Sequence, residues 1–557
     1  MNPVKRVFLT ILIVKMTINK ADFCRRLVGK HDNGYRYTQY LFLSLVFVCG
    51  IMSVTPTYAQ KKKAENPIIF ADVPDAAIIR VGKNYYMSST TMHVNPGVPI
   101  MKSTDLVNWK LINYAYDTLA TLDATNLDNG KDNYGKGSWA SCIRYHNGTY
   151  YVSTFAQTTN KTYIFSTTDI EKGPWKVTQF SPSYHDHTLF FDDDGKVYMI
   201  YSAGELKMLT LKDDLSGIDT SIPEKVIIKN ASAPAGDNIM LPAEGSQLFK
   251  VNGKYYLFNI VWPRGGMRTV LIHRADRIEG PYEGRVALQD LGVAQGGLID
   301  TPDGRWFSYL FRDYGAVGRI PYIVPVRWEE GWPVLGEEGK VPATLDLPAS
   351  KGLIPGIAHS DEFNRKKGDN ALPLVWQWNH NADDGHWSLT ARKGHFRITT
   401  SRVDTSFLYA KNTLTQRTLG PQSSGITKVD ATHMKRGDFA GLAVLQKRYG
   451  QVGVRINAHG KREVVMVNTT SGKPVDEEII PVDASVVYFK IDCDFRDRVD
   501  TATFQFSLDG KQWKTIGTKL KMVYTLPHFM GYRFALFNYA TQEVGGYADF
   551  DFFRIHQ

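Results

Sequence analysis

The sequence predicts an all-β protein, a five-bladed β-propeller followed by a C-terminal β-sandwich. Three observations carry this. Aromatic residues make up 12% of the 557 residues, with 29 Tyr, and Gly turns break up short apolar runs, a texture that favours strands. A strand–turn–strand frame recurs five times between Asp75 and Trp306. Past about residue 345 the frame stops, and only short alternating strands remain.

Each copy of the frame opens on a polar or aromatic residue: Asp75, Trp139, Asp186, Glu244 and Gln295. Ten or eleven positions later the chain reaches Tyr85, Tyr150, Val197, Tyr255 and Trp306. Between them lie the turns Gly82-Lys83, Asn147-Gly148, Asp194-Gly195, Asn252-Gly253 and Asp303-Gly304. Asn-Gly and Asp-Gly suit tight hairpins because type I′ turns need positive φ. A small residue stands two past each leader (Ala77, Ser141, Thr188, Ser246, Gly297). Alternate residues of a strand share a face, so these small side chains fit five strands converging on one axis. Successive turn glycines are 66, 47, 58 and 51 residues apart, the length of a four-stranded blade. Several copies carry an echo ending in Trp109, Trp175 or Tyr282, read as an outer strand, a turn and an aromatic returning to the core. Five blades over residues 66–345 follow.

The stretch Pro342–Ala358 is rich in Pro, Gly and Leu and reads as a linker. Residues 359–557 then show alternating strands around His395–Thr400, Val452–Asn457 and Thr503–Leu508, without helical periodicity, as a β-sandwich does. At the other end, Tyr40–Thr55 is an apolar run preceded by basic residues and followed by Thr57-Tyr58-Ala59. It reads as a secretory signal cleaved after Ala59, making residues 1–59 a leader and the mature protein periplasmic; a membrane anchor needs about twenty apolar residues. That leaves Cys142 and Cys493, far apart and in different domains, so a disulfide framework is not expected and Cys142 reads as a buried thiol. The formal charge of +10 falls to +4 once the leader, with eight Lys/Arg against two Asp, is set aside. No basic cluster with interleaved aromatics stands out, which argues against nucleic acid as a partner.

Asp75, Asp186 and Glu244 share the leading position in three blades and so should meet at the mouth of the channel. Carboxylates held together cannot all ionise comfortably. An acid and a base in one pocket are what glycosidic hydrolysis requires. Turn capping is the alternative for any one of them. His185 and His187 flank Asp186 and invite a metal, but the expectation is that no metal or cofactor is required. Asp192-Asp193-Asp194 reads as a hairpin turn rather than a calcium loop. Asp361 and Asp551, near the two ends of the sandwich, could share a structural calcium.

Five segments stand out in order along the chain: NPIIFADVPDAAIIRVGKNYYM, GKGSWASCIRYHNGTYY, EGSQLFKVNGKYYL, QGGLIDTPDGRW and GAVGRIPYIVPV. With them, residues 66–557 resemble glycoside hydrolase family 43, inverting β-xylosidases and α-L-arabinofuranosidases with a five-bladed propeller. The sandwich resembles the module of the larger two-domain members. The resemblance implies that Asp75 is the general base and Glu244 the general acid. Asp186 would hold Glu244 and keep it protonated. Inversion would set the Asp75 and Glu244 carboxyl groups roughly 6.5–9.5 Å apart. Trp139 would be a sugar-stacking wall. Arg319 would donate a fork to sugar hydroxyls or to Asp186, and Gln295 would line the channel. Many members have a His just before that Gln; here it is Ala294, so no channel metal is carried over.

The function implied is release of a terminal pentose from hemicellulose or its oligosaccharides, with α-L-arabinofuranose preferred and β-D-xylose the alternative. The loops Met92–Pro99, Trp262–Met267 and Tyr524–Met530 should decide between them. An invertase-type propeller would need a Trp-Met-Asn-Asp-Pro-Asn-Gly motif, which is missing. A propeller that only binds carbohydrate would not need all three carboxylates.

Overall fold

The structure, a computed structural model, describes residues 62–366 and 368–557. The expected leader at 1–59 lies outside them. Five four-stranded antiparallel sheets run in simple sequence order, with inner strands Ala77–Val81, Cys142–His146, Thr188–Phe191, Ile239–Val251 and Val293–Asp300. Each inner strand touches the next, and the fifth touches the first, so the ring is closed. The five-bladed propeller is therefore borne out.

The turn chemistry explains the register. Asn147 and Gly148 have φ of 46° and 79°, and Asn252 and Gly253 have 50° and 79°, the two left-handed residues a type I′ hairpin demands. Asp192 accepts from Lys250 Nζ and Tyr255 Oη at 2.7 and 2.6 Å, so the triple-Asp run is a tied-down turn. The small residues two past each leader are all buried, and Ser141 Oγ donates to Ser88 Oγ at 2.9 Å across two blades. Trp109 is buried in the first blade as its echo anticipates, whereas Trp175 and Tyr282 are half-buried.

The segment expected to be a linker is more than that. Thr344–Pro348 pairs antiparallel with Lys63–Glu65, a ribbon that fastens the two ends of the propeller. Leu345, Leu347, Leu353 and Ile357 are buried there, which is why the stretch is Leu-rich.

The C-terminal sandwich has two antiparallel sheets, and its strands include Phe396–Thr399, Gly450–Ile456 and Thr501–Ser507. One sheet ends on a strand borrowed from the propeller, Val94–Asn95 beside Gln377–Asn379. One apolar cluster runs through both domains, from Ile68 and Trp109 through Phe311 to Trp376 and Phe553. At the seam Tyr134 stacks on His528 with ring centroids 3.9 Å apart, and His93 and His380 pack against the same ring. Gly531 N donates to Asp72 Oδ2 at 2.9 Å. Cys142 and Cys493 are buried free thiols. Among the described residues no helix is long and apolar enough to cross a membrane.

Candidate active site

Backbone conformation picks out the leading positions. Asp75, Asp186 and Gln295 have φ of 51°, 48° and 47°, left-handed values that cost energy for residues with a Cβ. In the fourth blade the left-handed residue is Gly245, just after Glu244, at 66°. At Asp75 and Asp186 the kink turns the leader aside just before the inner strand begins. Glu244 and Gln295 lie inside their strands, where ladder irregularities do the same work. A Cβ on Gly245 would meet Gln295 Cδ at 2.7 Å, so the Gln295 side chain lies directly over the neighbour of Glu244.

Asp75 is buried and fully engaged. Arg319 Nη1 donates to its Oδ1 and Oδ2 at 2.7 and 2.8 Å, and Thr90 Oγ1 donates to Oδ2 at 2.6 Å. Arg319 is itself only 4% exposed, with Nε and Nη2 lacking protein partners. The guanidinium was expected on sugar hydroxyls or on Asp186; in the structure its Nη1 holds Asp75. Burial works against the charge on Arg319, but Asp75 and neighbouring acidic groups push its pKa further up.

Asp186 and Glu244 meet through an unexpected third group. His185 Nε2 lies 3.0 Å from Glu244 Oε2 and 3.8 Å from Asp186 Oδ2. Burial pushes the Asp186 pKa up to about 7; Glu244 and Asp75 add to this, while His185 and Arg319 oppose it. Burial works against a charge on His185, yet Asp186, the bond to Glu244 and Asp75 together push its pKa up to about 9. Asp186 was expected to hold Glu244, and His185 is a second polar group against it. His187 turns the other way, donating from Nδ1 to Tyr184 O at 2.9 Å, and burial pushes its pKa down to about 4.

The second unexpected group comes from the sandwich. Phe529, with φ of 53°, lies 4.8 Å from the Arg319 guanidinium and 4.9 Å from the Trp139 ring. Trp139 also stacks on Phe155 at 6.2 Å, and its Nε1 has no protein partner. A Cβ on Gly135 would meet Pro527 O at 2.5 Å, so the loop 524–530 sits tightly on the connection between blades one and two. Of the loops expected to choose the sugar, this one reaches the site. Met92–Pro99 is largely buried and supplies the strand shared with the sandwich, so little of it is rim. Trp262–Met267 is the more exposed, Trp262 Nε1 donating to Gly266 O at 3.1 Å.

The six residues singled out from sequence thus fall into linked sets: Asp75 with Arg319, Asp186 with Glu244, Gln295 over Gly245, and Trp139 with Phe529. Among the described residues, His185, Asp186 and Glu244 are the group whose ligand atoms lie close enough for a metal ion, within 4.8 Å. A cation there would take up the lone pairs of Glu244 and hold it ionised. The shared calcium expected at Asp361 and Asp551 does not fit. Asp361 accepts from Arg365 and Trp376 at 2.6 and 3.1 Å, and Asp551 from Lys428 at 2.7 Å, so each carboxylate already has its own partner.

Paired carboxylates at the mouth of a five-bladed propeller, with a sandwich loop against them, define a class: glycoside-cleaving propellers of two domains. The sequence profile of glycosyl hydrolases family 43 matches residues 64–333, and that of the β-xylosidase C-terminal concanavalin A-like domain matches 360–556. A putative β-xylosidase of Xylanibacter ruminicola is 32% identical over 80% of this chain and 82% of its own. A non-reducing-end α-L-arabinofuranosidase of Bacteroides ovatus is 25% identical over 76% of this chain and 82% of its own. A solved bifunctional GH43-CE protein of Bacteroides eggerthii superposes with a TM-score of 0.88 and 66% identity over 89% of this chain. The present chain spans only 64% of that protein. The chain belongs to glycoside hydrolase family 43, and it is a glycoside hydrolase.

Proposed function

We propose that the protein is an inverting exo-glycosidase that releases a terminal pentose from hemicellulose-type chains. Asp75 is the base: Arg319 balances its charge and Thr90 fixes its orientation, leaving it placed to take a proton from the attacking water. Glu244 is the acid that protonates the leaving oxygen, and Asp186 holds the charge balance around it. The observation that carries this reading is the division of the carboxylates into one under a guanidinium and two sharing a histidine, which gives a base and an acid different surroundings. Trp139 and Phe529 offer apolar faces for the C–H side of a sugar ring. Water, base and acid are the only chemical requirements, so the reading needs no cofactor.

Exo action is supported by the sandwich loop, whose Phe529 packs against Trp139 and Arg319 and so walls one side of the site. The sugar is carried by both relatives: one is named for β-xylosides and the other for α-L-arabinofuranosides. Arabinofuranose was the expectation from sequence, and xylose is supported equally. The comparison that decides is kcat/KM on aryl α-L-arabinofuranoside against aryl β-D-xyloside. A preference above about tenfold, or 1.4 kcal/mol in transition-state binding, assigns the sugar; cleavage of neither overturns the pentose reading.

A further inference from the structure

The inner strands start beside the leading residues and end in hairpin turns at the far mouth of the channel. A cavity of about 440 Å³ opens at that far mouth, and every blade lines it, through Arg80, His146, Phe191, Phe249 and Asp300 among others. None of the six residues of the candidate site takes part in it. Asp300 lies five residues past Gln295, about 16 Å along the strand at 3.3 Å per residue. Arg144 lines the cavity and closes its inner end. It reaches across from blade two, donating to Thr188 Oγ1 at 2.6 Å, Leu189 O at 2.8 Å and Gln247 Oε1 at 3.2 Å.

Trp306 lines this cavity and also a second one of about 330 Å³, which it shares with Arg305, Phe307 and Trp328. The Trp306 and Trp328 rings meet edge to face, with centroids 5.6 Å apart and planes at 85°. Both indoles are half-buried. A tryptophan ridge therefore stands between two hollows, on the face of the propeller away from the carboxylates.

We propose that this ridge and its two hollows form a second carbohydrate-binding site, which holds an internal stretch of the neutral pentose chain whose end the active site cleaves. The choice of ligand rests on the hemicellulose reading above. Three features select a sugar chain. A xylose unit in its chair form carries its hydroxyls around the edge and leaves apolar C–H faces, which pack flat on an indole. The charges of the rim are paired: Arg80 Nε donates to Asp300 Oδ1 at 2.9 Å, Lys250 Nζ to Asp192 Oδ1 at 2.7 Å and Arg305 Nε to Asp303 Oδ2 at 2.9 Å. Such a rim offers donors and acceptors to hydroxyls without a net field that would draw an ionic partner. The apolar surface is also recessed. Of the large apolar side chains lining the two hollows, only Tyr145, at 44%, stands exposed, whereas a protein partner needs a broad contiguous patch. Each hollow has the size of a small-molecule site. A chain held at this second point meets the active site as a tethered ligand, at a raised effective concentration of chain ends.

Trp306→Ala tests this against arabinoxylan. In a Glu244→Gln background, where bound chains stay intact, affinity electrophoresis through arabinoxylan should show Kd rising about fivefold or more when the indole is removed. In the otherwise wild-type enzyme the same change should lower kcat/KM on arabinoxylan about fivefold and leave kcat/KM on the cleaved aryl pentoside within about twofold. Equal retardation with and without Trp306 overturns the proposal, and so does no retardation of either protein. An equal loss on polymer and aryl glycoside makes Trp306 a structural residue and overturns it as well. Tyr145→Ser, at the exposed rim, is read in the same way if Trp306→Ala does not fold. If the wild type cleaves an aryl pentoside and retardation ignores Trp306, only this proposal falls. If it cleaves neither aryl pentoside, the pentose reading of the active site falls; Trp306-dependent retardation in arabinoxylan then still upholds the second site, and its absence overturns it.

Discussion

At the residue scale, the site depends on giving like groups unlike neighbours. Asp75 meets a guanidinium, Glu244 an imidazole, and Asp186 is buried with only partial compensation. Glu244→Gln should cost about 10²–10⁴ in kcat on unactivated glycosides and much less on a dinitrophenyl glycoside, whose leaving group needs no proton; steady-state rates on the two substrates check this. Asp186 makes the opposite trade. Its pKa is raised from the ordinary carboxylate value to about 7, so the folded state binds a proton that the unfolded chain has lost. Stability from this group is full below about pH 4 and lost as pH rises through 7. Asp186→Asn should therefore raise Tm at pH 8, by roughly 2–4 °C, with the gain vanishing towards pH 4, while activity collapses; thermal melts at both pH values decide. The shared frame position made these carboxylates legible in the sequence. His185 stands beside Asp186 in the sequence, where alternation along a strand would put it on the opposite face, towards the blade. The positive φ at Asp186 is what breaks that alternation, and no sequence signal marks it.

At the element scale, hairpins were the most legible feature because Asn-Gly and Asp-Gly turns state their own geometry. The clasp and the shared strand were not. Val94–Asn95 is two residues long, too short for any periodicity, and Thr344–Pro348 is hidden by the prolines and glycines that flank it. Phe529 was hidden for another reason: it reaches the site from 210 residues beyond Arg319 and 390 beyond Trp139, which no local pattern reports. Its loop is anchored by Gly531, where a Cβ would collide with Val317 O and lie 2.9 Å from Asp72 Cβ. Gly531→Ala should cost about 1–3 kcal/mol through overpacking and raise KM by displacing Phe529. Melting temperature and KM measured on the same sample test both parts. A stability loss with KM unchanged would place Phe529 outside the sugar site.

At the scale of the whole molecule, propeller and sandwich share one apolar core, a strand and a cluster of buried aromatic rings. They should therefore unfold in one calorimetric transition rather than two. The seam also sets an acid limit. Burial holds His93 down at about pKa 3, and His380 and His528 well below the ordinary value. Each is neutral in the fold and takes up a proton when unfolded, so its contribution is full above about pH 6.5 and lost as pH falls. Tm should drop between pH 6.5 and 4, and His93→Phe, whose parent ring nitrogens have no partners, should flatten that slope. Three carboxylates in one frame should invert a glycosidic centre, and proton NMR of the first sugar released reads this out. A β-D-xyloside should yield α-D-xylose first, and an α-L-arabinofuranoside β-L-arabinofuranose; the retained anomer appearing first would rule inversion out.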